Sequence, residues 1–363
     1  MPPSEASTPE PETERIAAWL TRVTGRRGPF ELSLIAGGAS PRRFYRVRGG
    51  LGTAPDGTAG VIVMSVPPET PDVAFARERG RGWPFLEVRA LLAAAGVRVP
   101  AILAQSCDDG LLLVEDLGPT LAEHLSAAPR DREALYRRAA EDLGRAQTAL
   151  APLPADSVVR LRQFDDDLLR SELEHFWEWA IAARHVNAPR DPFQRAVDYV
   201  VAELAALPRA FTHRDYQSRN LLVLPRAVAA SGRARDDAVL GWIDFQDALL
   251  GPRAYDLVAL LCDSYQPFER AFVEARLDDY ARVRALDASE RQALGREFDL
   301  ITLQRKLKDA GRFVFIEKKR GDASFLPFVA PTLAIVEDAL ARLAGVPELA
   351  GLGAIVRAAR AVA

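Results

Sequence analysis

Phe211-Thr212-His213-Arg214-Asp215-Tyr216-Gln217-Ser218-Arg219-Asn220 runs directly into the apolar stretch Leu221 to Leu224. A second polar segment, Trp242-Ile243-Asp244-Phe245-Gln246-Asp247, lies at the far end of the next apolar stretch, Val239 to Phe245. The two stretches are short and strand-like, and the Ala, Gly, Arg and Asp-rich loop Pro225 to Ala238 joins them as a hairpin. The polar residues therefore fall at the ends of paired strands, inside a region that otherwise reads as helix.

Upstream of this hairpin the period changes. Arg15 to Thr24 places Ile16, Trp19, Leu20 and Val23 at helical spacing. Phe30 to Ile35, Arg43 to Val47 and Gly60 to Val66 then alternate apolar and polar residues at period two, as half-buried strands do. Gly37-Gly38-Ala39-Ser40-Pro41 reads as the turn between the first two. A helix carrying Glu87 is expected over Pro84 to Ala95, stopped at Gly96, and further strands over Ala101 to Ala104 and Leu111 to Glu115. After Asp116-Leu117-Gly118-Pro119 the helical period holds to about residue 207, and it returns from Tyr255 to the end. The expected architecture is α+β and bilobal: a disordered tail over 1–13, a small β-rich lobe over 14–117 and a larger, mainly helical lobe over 118–363.

Composition narrows the function classes. The 363 residues include 48% hydrophobic and 27% charged side chains, values of an ordinary globular chain rather than a disordered one. A formal charge of -3 gives no electrostatic footprint for nucleic acid. The two cysteines, Cys107 and Cys262, exclude a disulfide framework and a cysteine-rich zinc module. No run of about 20 uninterrupted apolar residues is present, and the acidic, Pro-rich start lacks the pattern of a secretory signal. A cytoplasmic protein with no nucleic-acid, membrane or obligate protein partner is expected. Walker A, HExxH and GxSxG motifs are absent.

His-Arg-Asp followed after four residues by Asn is the spacing of a phosphoryl-transfer catalytic loop, and Asp244 stands where the metal-binding Asp of such enzymes is found. The chemistry accounts for these residue types. Moving a γ-phosphoryl group requires alignment and charge compensation, so Mg²⁺ must be held against the phosphates by hard oxygen ligands, here Asn220 and Asp244. A carboxylate, Asp215, must also lie beside the acceptor hydroxyl and take its proton.

With these motifs the chain resembles the aminoglycoside phosphotransferase and choline kinase family, which shares the protein-kinase-like fold. The resemblance extends through GGASPRRFYRV, MSVPPE, LLLVEDLG, IDFQDALLGPRAYDLVALL and LQRKLKDAGRF, over about residues 13 to 345, and is greatest to the anomeric sugar kinases of cell-wall recycling. It implies an ATP-dependent kinase acting on a small sugar, N-acetylmuramate or N-acetylglucosamine, with Asp215 as catalytic base and Mg²⁺ on Asn220 and Asp244. It also implies that Asp256 is a buried acid supporting the loop, that Glu115 to Leu117 meet adenine, and that Ser40 covers the phosphates. His213 is expected to pin the loop.

The sequence departs from the family in two ways. All four lysines (Lys306, Lys308, Lys318 and Lys319) lie near the C-terminal end, and Met64 occupies the third-strand position of the usual phosphate-binding lysine. Arginine must substitute, with Arg43 the first candidate and Arg46 the second, and with Glu87 as its ion-pair partner. Gln246 replaces the usual glycine after Asp-Phe. Only eleven residues separate Asp244 from Asp256, too few for a peptide-presenting segment, which points to a small-molecule acceptor. Asp247 either touches that acceptor or caps a turn, and Arg305 and Lys308 are candidates to meet an anionic one. Two other readings stay open: an aminoglycoside or choline-like O-phosphotransferase, and a nucleotide-binding pseudokinase without transfer activity.

Overall fold

A computed structural model describes residues 10–26, 29–35, 41–48, 60–224, 239–264 and 266–363. In chain order these form α1 (Glu10–Thr24), β1 (Glu31–Ile35), β2 (Arg43–Arg48), β3 (Val61–Ser65), α2 (Pro71–Arg79), α3 (Pro84–Ala94), β4 (Ile102–Ser106), β5 (Leu111–Glu115) and α4 (Leu121–Ala127). There follow α5 (Arg132–Ala149), α6 (Val158–Leu161), α7 (Asp166–Phe176), α8 (Arg190–Ala206), β6 (Arg209–Thr212), β7 (Leu221–Leu224), β8 (Val239–Trp242) and β9 (Leu249–Pro252). The chain ends with α9 (Tyr255–Leu261), α10 (Arg270–Val283), α11 (Ala288–Arg320), α12 (Val329–Arg342) and α13 (Leu352–Ala361).

Two compact units result: Met1–Leu135 with Arg219–Gln246, and Tyr136–Ser218 with Asp247–Ala363. The first is built on an antiparallel sheet of order β1-β2-β3-β5-β4. One face of it carries Tyr45, Val47, Val63, Leu111 and Leu113, and on this face α1 lays Ile16, Trp19 and Leu20, all buried. The helical spacing of those three residues is what gives α1 its apolar stripe. Helix α1 begins at Glu10, so residues 10–13 of the expected tail are helical. The sheet holds this turn: the Glu12 carboxylate accepts hydrogen bonds from Ser65 Oγ at 2.8 Å and Tyr45 Oη at 2.9 Å.

The β7–β8 hairpin belongs to this first unit although the sequence places it among helices. Trp242 donates its N–H to the Arg98 carbonyl at 2.8 Å, and Val223 donates to the Pro119 carbonyl at 2.9 Å. These ladder contacts, together with the capping box of Thr120 and Glu123 that starts α4, carry the first unit past residue 117, where the sequence reading drew its boundary.

The second unit is helical around the 33-residue α11, whose Phe298, Leu300, Ile301, Leu303 and Leu307 are buried. Gly311 lets α11 cross α7 closely, since a Cβ there would lie 2.7 Å from the His175 carbonyl oxygen. The segment Ala323–Arg342 is apolar and long enough by composition to cross a membrane. It consists of a 3₁₀ stretch with Pro327 inside it that runs into α12, which packs on α11. A two-stranded sheet, β6 with β9, was not anticipated from the sequence; Thr212 pairs with Leu249 and Arg209 with Pro252.

Candidate active site

In the second unit, β6 ends at Thr212 and delivers His213, Arg214 and Asp215 to one end of the β6–β9 pair. Arg214 has φ +75°, a left-handed conformation that costs a non-glycine residue on the order of 1–3 kcal/mol unless its surroundings enforce it. Asp256, wholly buried at the start of α9, helps enforce it. Its two carboxylate oxygens accept the backbone N–H groups of His213 at 2.6 Å and Arg214 at 3.0 Å. Burial pushes the Asp256 carboxyl up to about 7, while those two hydrogen bonds and the nearby Arg305 guanidinium act against the rise. His213 is also fully buried; its Nδ1 accepts the Asp215 N–H at 3.3 Å and its ring meets Tyr216 edge-on.

The Asp215 side chain is 46% exposed, so its carboxylate is accessible to a ligand. Gln217 Nε2 donates to Asp215 Oδ1 at 3.3 Å and an Arg305 Nη donates to it at 3.4 Å. Arg305 itself is only 5% exposed and its other Nη donates to the Arg214 carbonyl at 2.7 Å. The sequence reading offered Arg305 to an anionic acceptor; the fold instead turns it under the loop. Lys308 Nζ lies 3.2 Å from the Asp309 carboxylate, which also receives Lys306. Asp247 is exposed and, with Leu161, Arg162, Gln163, Asp165 and Arg214, lines a cleft of about 410 Å³ within this unit.

In the first unit, Leu221 pairs with Trp242, so Asn220 and Asp244 emerge from the same end of the β7–β8 hairpin, where the Ile243 N–H donates to the Asn220 carbonyl at 3.0 Å. Asp244 is left-handed, φ +62°. Phe245 is buried and stacks on Phe85 of α3, with ring centroids 5.1 Å apart, and the buried Gln246 donates its Nε2 to Asp244 Oδ1 at 2.7 Å. The departure at Gln246 thus has a structural role that glycine could not fill: it fixes one oxygen of the Asp244 carboxylate.

Strand alternation settles which arginine faces where. Arg43 and Tyr45 project to the face covered by α1, and Arg43 pairs with Glu12. Phe44, opposite Met64, and Arg46 project to the other face, where Arg46 Nε donates to Asp116 Oδ2 at 2.6 Å. Arg43, the first candidate, therefore lies on the wrong face to replace the lysine. Glu87 accepts from Arg81 at 2.8 Å instead of from either strand arginine. Arg81 and Arg42, the latter paired with the buried Asp72, went unnoticed in the sequence; the two-residue step from Phe44 back to Arg42 was the signal. In the expected adenine-binding segment, the N–H groups of Glu115 and Asp116 donate to Ala101 and Gly60 carbonyls, both at 3.0 Å, and Leu117 is buried. Ser40 lies outside the described residues.

A model of the phosphotransferase enzyme family (APH) matches residues 31–292. The chain belongs to that family. It is a phosphotransferase with an alcohol group as acceptor. The chain is 33% identical over 343 residues to an N-acetylmuramate/N-acetylglucosamine kinase of Pseudomonas aeruginosa, a match covering 92% of this chain and 89% of the relative. Among solved structures it is similar to the ADP-bound aminoglycoside phosphotransferase APH(2'')-Ib, with a TM-score of 0.56, 14% identity, and coverage of 89% of this chain and 96% of that one. It is equally similar to a choline/ethanolamine kinase family protein from Mesorhizobium loti, with a TM-score of 0.56, 16% identity, and coverage of 96% and 99%. The fold is protein-kinase-like α+β, as the sequence led us to expect.

Proposed function

We propose that the protein transfers the γ-phosphoryl group of ATP to the anomeric hydroxyl of N-acetylmuramate, N-acetylglucosamine or both, a step of peptidoglycan recycling. The observation that carries this reading is the 33% identity to an N-acetylmuramate/N-acetylglucosamine kinase across 92% of the chain. In this reading Asp215 orients the C1 hydroxyl and takes its proton as the sugar oxygen bonds to the γ-phosphorus and the bond from that phosphorus to the departing ADP breaks. An anomeric hydroxyl is more acidic than an ordinary alcohol, so a carboxylate is base enough.

The donors at the end of the β7–β8 hairpin suit Mg²⁺. Asp244 supplies a carboxylate with one oxygen fixed by Gln246, and Asn220 supplies an amide oxygen from the neighbouring strand. With these two oxygen donors, phosphates and water would complete the shell of a hard cation. When bound, Mg²⁺ neutralises charge on the β- and γ-phosphate oxygens.

The cleft beside Arg214 is the acceptor subsite of this proposal. Its volume of about 410 Å³ suits a monosaccharide derivative, Asp247 and Gln163 offer acceptors and donors for hydroxyls, and Arg162 and Arg214 offer positive charge to a lactyl carboxylate.

ADP release should be measured for the wild type and Asp215→Ala with N-acetylmuramate, N-acetylglucosamine, kanamycin and choline in parallel. Release with one or both amino sugars only is expected, reduced by roughly 10²–10⁴ in the variant. Release with kanamycin or choline alone would favour the amino-alcohol reading. No release with any acceptor, despite an ATP-dependent rise in Tm, would favour the pseudokinase.

A further inference from the structure

A buried guanidinium is costly to desolvate unless its protons are used. Arg305, on α11, uses its two Nη groups on the catalytic loop, while its buried Nε has no hydrogen-bond partner among the described residues. One Nη donates to the Arg214 carbonyl at 2.7 Å, the other reaches Asp215 Oδ1 at 3.4 Å, and the guanidinium lies over the Tyr255 ring, 5.0 Å from its centroid. The two acceptors are a backbone carbonyl and the adjacent residue's carboxylate, so one rigid fork spans the Arg214–Asp215 peptide, which directly follows the left-handed φ of Arg214.

The neighbours of Arg305 keep that fork in place. Gln304, one residue earlier on α11, donates to Glu172 of α7 at 2.7 Å, and Glu172 accepts from the Arg214 side chain at 3.1 Å. The close α11–α7 crossing at Gly311 fixes the two helices against each other. Asp256 meanwhile holds the N–H groups of His213 and Arg214. The loop is thus held through its donors by α9 and through its acceptors by α11.

We infer that Arg305 is a positioning residue for Asp215, locking the carboxylate against the loop backbone in the orientation from which it meets the acceptor hydroxyl. The inference rests on the proposed catalytic role of Asp215. It differs from a substrate-binding role for Arg305 in what it predicts: a positioning residue acts on turnover, whereas a carboxylate-binding arginine acts on the KM of the sugar.

The test uses the full chain as wild type, Arg305→Met, Arg305→Lys, Asp215→Asn and the Arg305→Met/Asp215→Asn double variant, with kcat, the KM values for ATP and N-acetylglucosamine, and Tm recorded for each. Arg305→Met is expected to lower kcat by roughly 10–10²-fold with both KM values within about threefold. Arg305→Lys, whose ammonium serves only one of the two acceptors, should recover part of that loss. The double variant should turn over within about twofold of Asp215→Asn, because Arg305 has nothing left to position. The inference is overturned by an Arg305→Met kcat within about twofold of wild type, by a rise in the sugar KM at constant kcat, or by the same fractional loss in the Asp215→Asn background. If Arg305→Met does not fold, Arg305→Lys decides alone, and wild-type kcat there overturns the inference. Undiminished turnover in Asp215→Asn would instead sink the proposed role of Asp215, and the inference with it.

Discussion

The carboxylate of Asp256 accepts the backbone N–H of His213 at 2.6 Å, with Asp256 wholly buried and its second oxygen on the N–H of Arg214. Burial raises this carboxyl to about 7 in the folded protein, while in the unfolded chain it titrates at about 3.9. The native state therefore binds the extra proton between those values. The stabilisation linked to it is fully present below about pH 4 and is lost as pH rises through about 7. Urea unfolding of the wild type and Asp256→Asn at pH 5, 6, 7 and 8 checks this. The wild-type advantage should be largest at pH 5 and shrink towards pH 8; a gap that is constant or widens with pH would contradict the assignment.

Arg46 and Arg43 should separate cleanly by kinetics. Arg46 lies on the sheet face that carries Met64, paired with Asp116, while Arg43 lies on the α1 face, paired with Glu12. Arg46→Ala is expected to raise the KM for ATP by roughly tenfold, the scale of one lost charge-assisted contact to phosphate. Arg43→Ala should leave that KM within about twofold and act on Tm, through the loss of an exposed ion pair worth at most about 1 kcal/mol. Equal KM values in the two variants would dismiss Arg46 as the substitute for the missing lysine.

Gln246 holds one oxygen of Asp244 at 2.7 Å from inside the core. A partner that orients a metal ligand typically changes metal affinity by about 10–100-fold when removed. Gln246→Ala should raise the Mg²⁺ concentration for half-maximal activity by about tenfold or more, with kcat at saturating Mg²⁺ close to wild type. An unchanged Mg²⁺ titration would remove Gln246 from the metal site.

Much of the fold is legible in the sequence. The period-two alternation around Tyr45 and Val63 predicted the sheet because one face is buried, and the spacing from His213 to Asn220 placed the loop against a strand because polar residues met an apolar run abruptly. Other features were hidden for physical reasons. The β6–β9 pair consists of four-residue strands, one ending in Pro252, too short for any period to register. The ion-pair partner of Arg43 was hidden because Glu12 reads as a tail residue until Ser65 and Tyr45 hold it. The direction of Arg305 is set by the crossing of α11 with α7 and by the loop it meets ninety residues upstream in the sequence, and helical spacing carries no trace of either.

The most direct measurement is the position of the phosphate on the product. Purified protein, ATP and Mg²⁺ with N-acetylmuramate and, separately, with N-acetylglucosamine, followed by phosphorus NMR with proton coupling, should yield from at least one of them a sugar phosphate whose phosphorus couples to the anomeric proton. A phosphate on any other carbon, or no sugar phosphate from either amino sugar, would contradict the account.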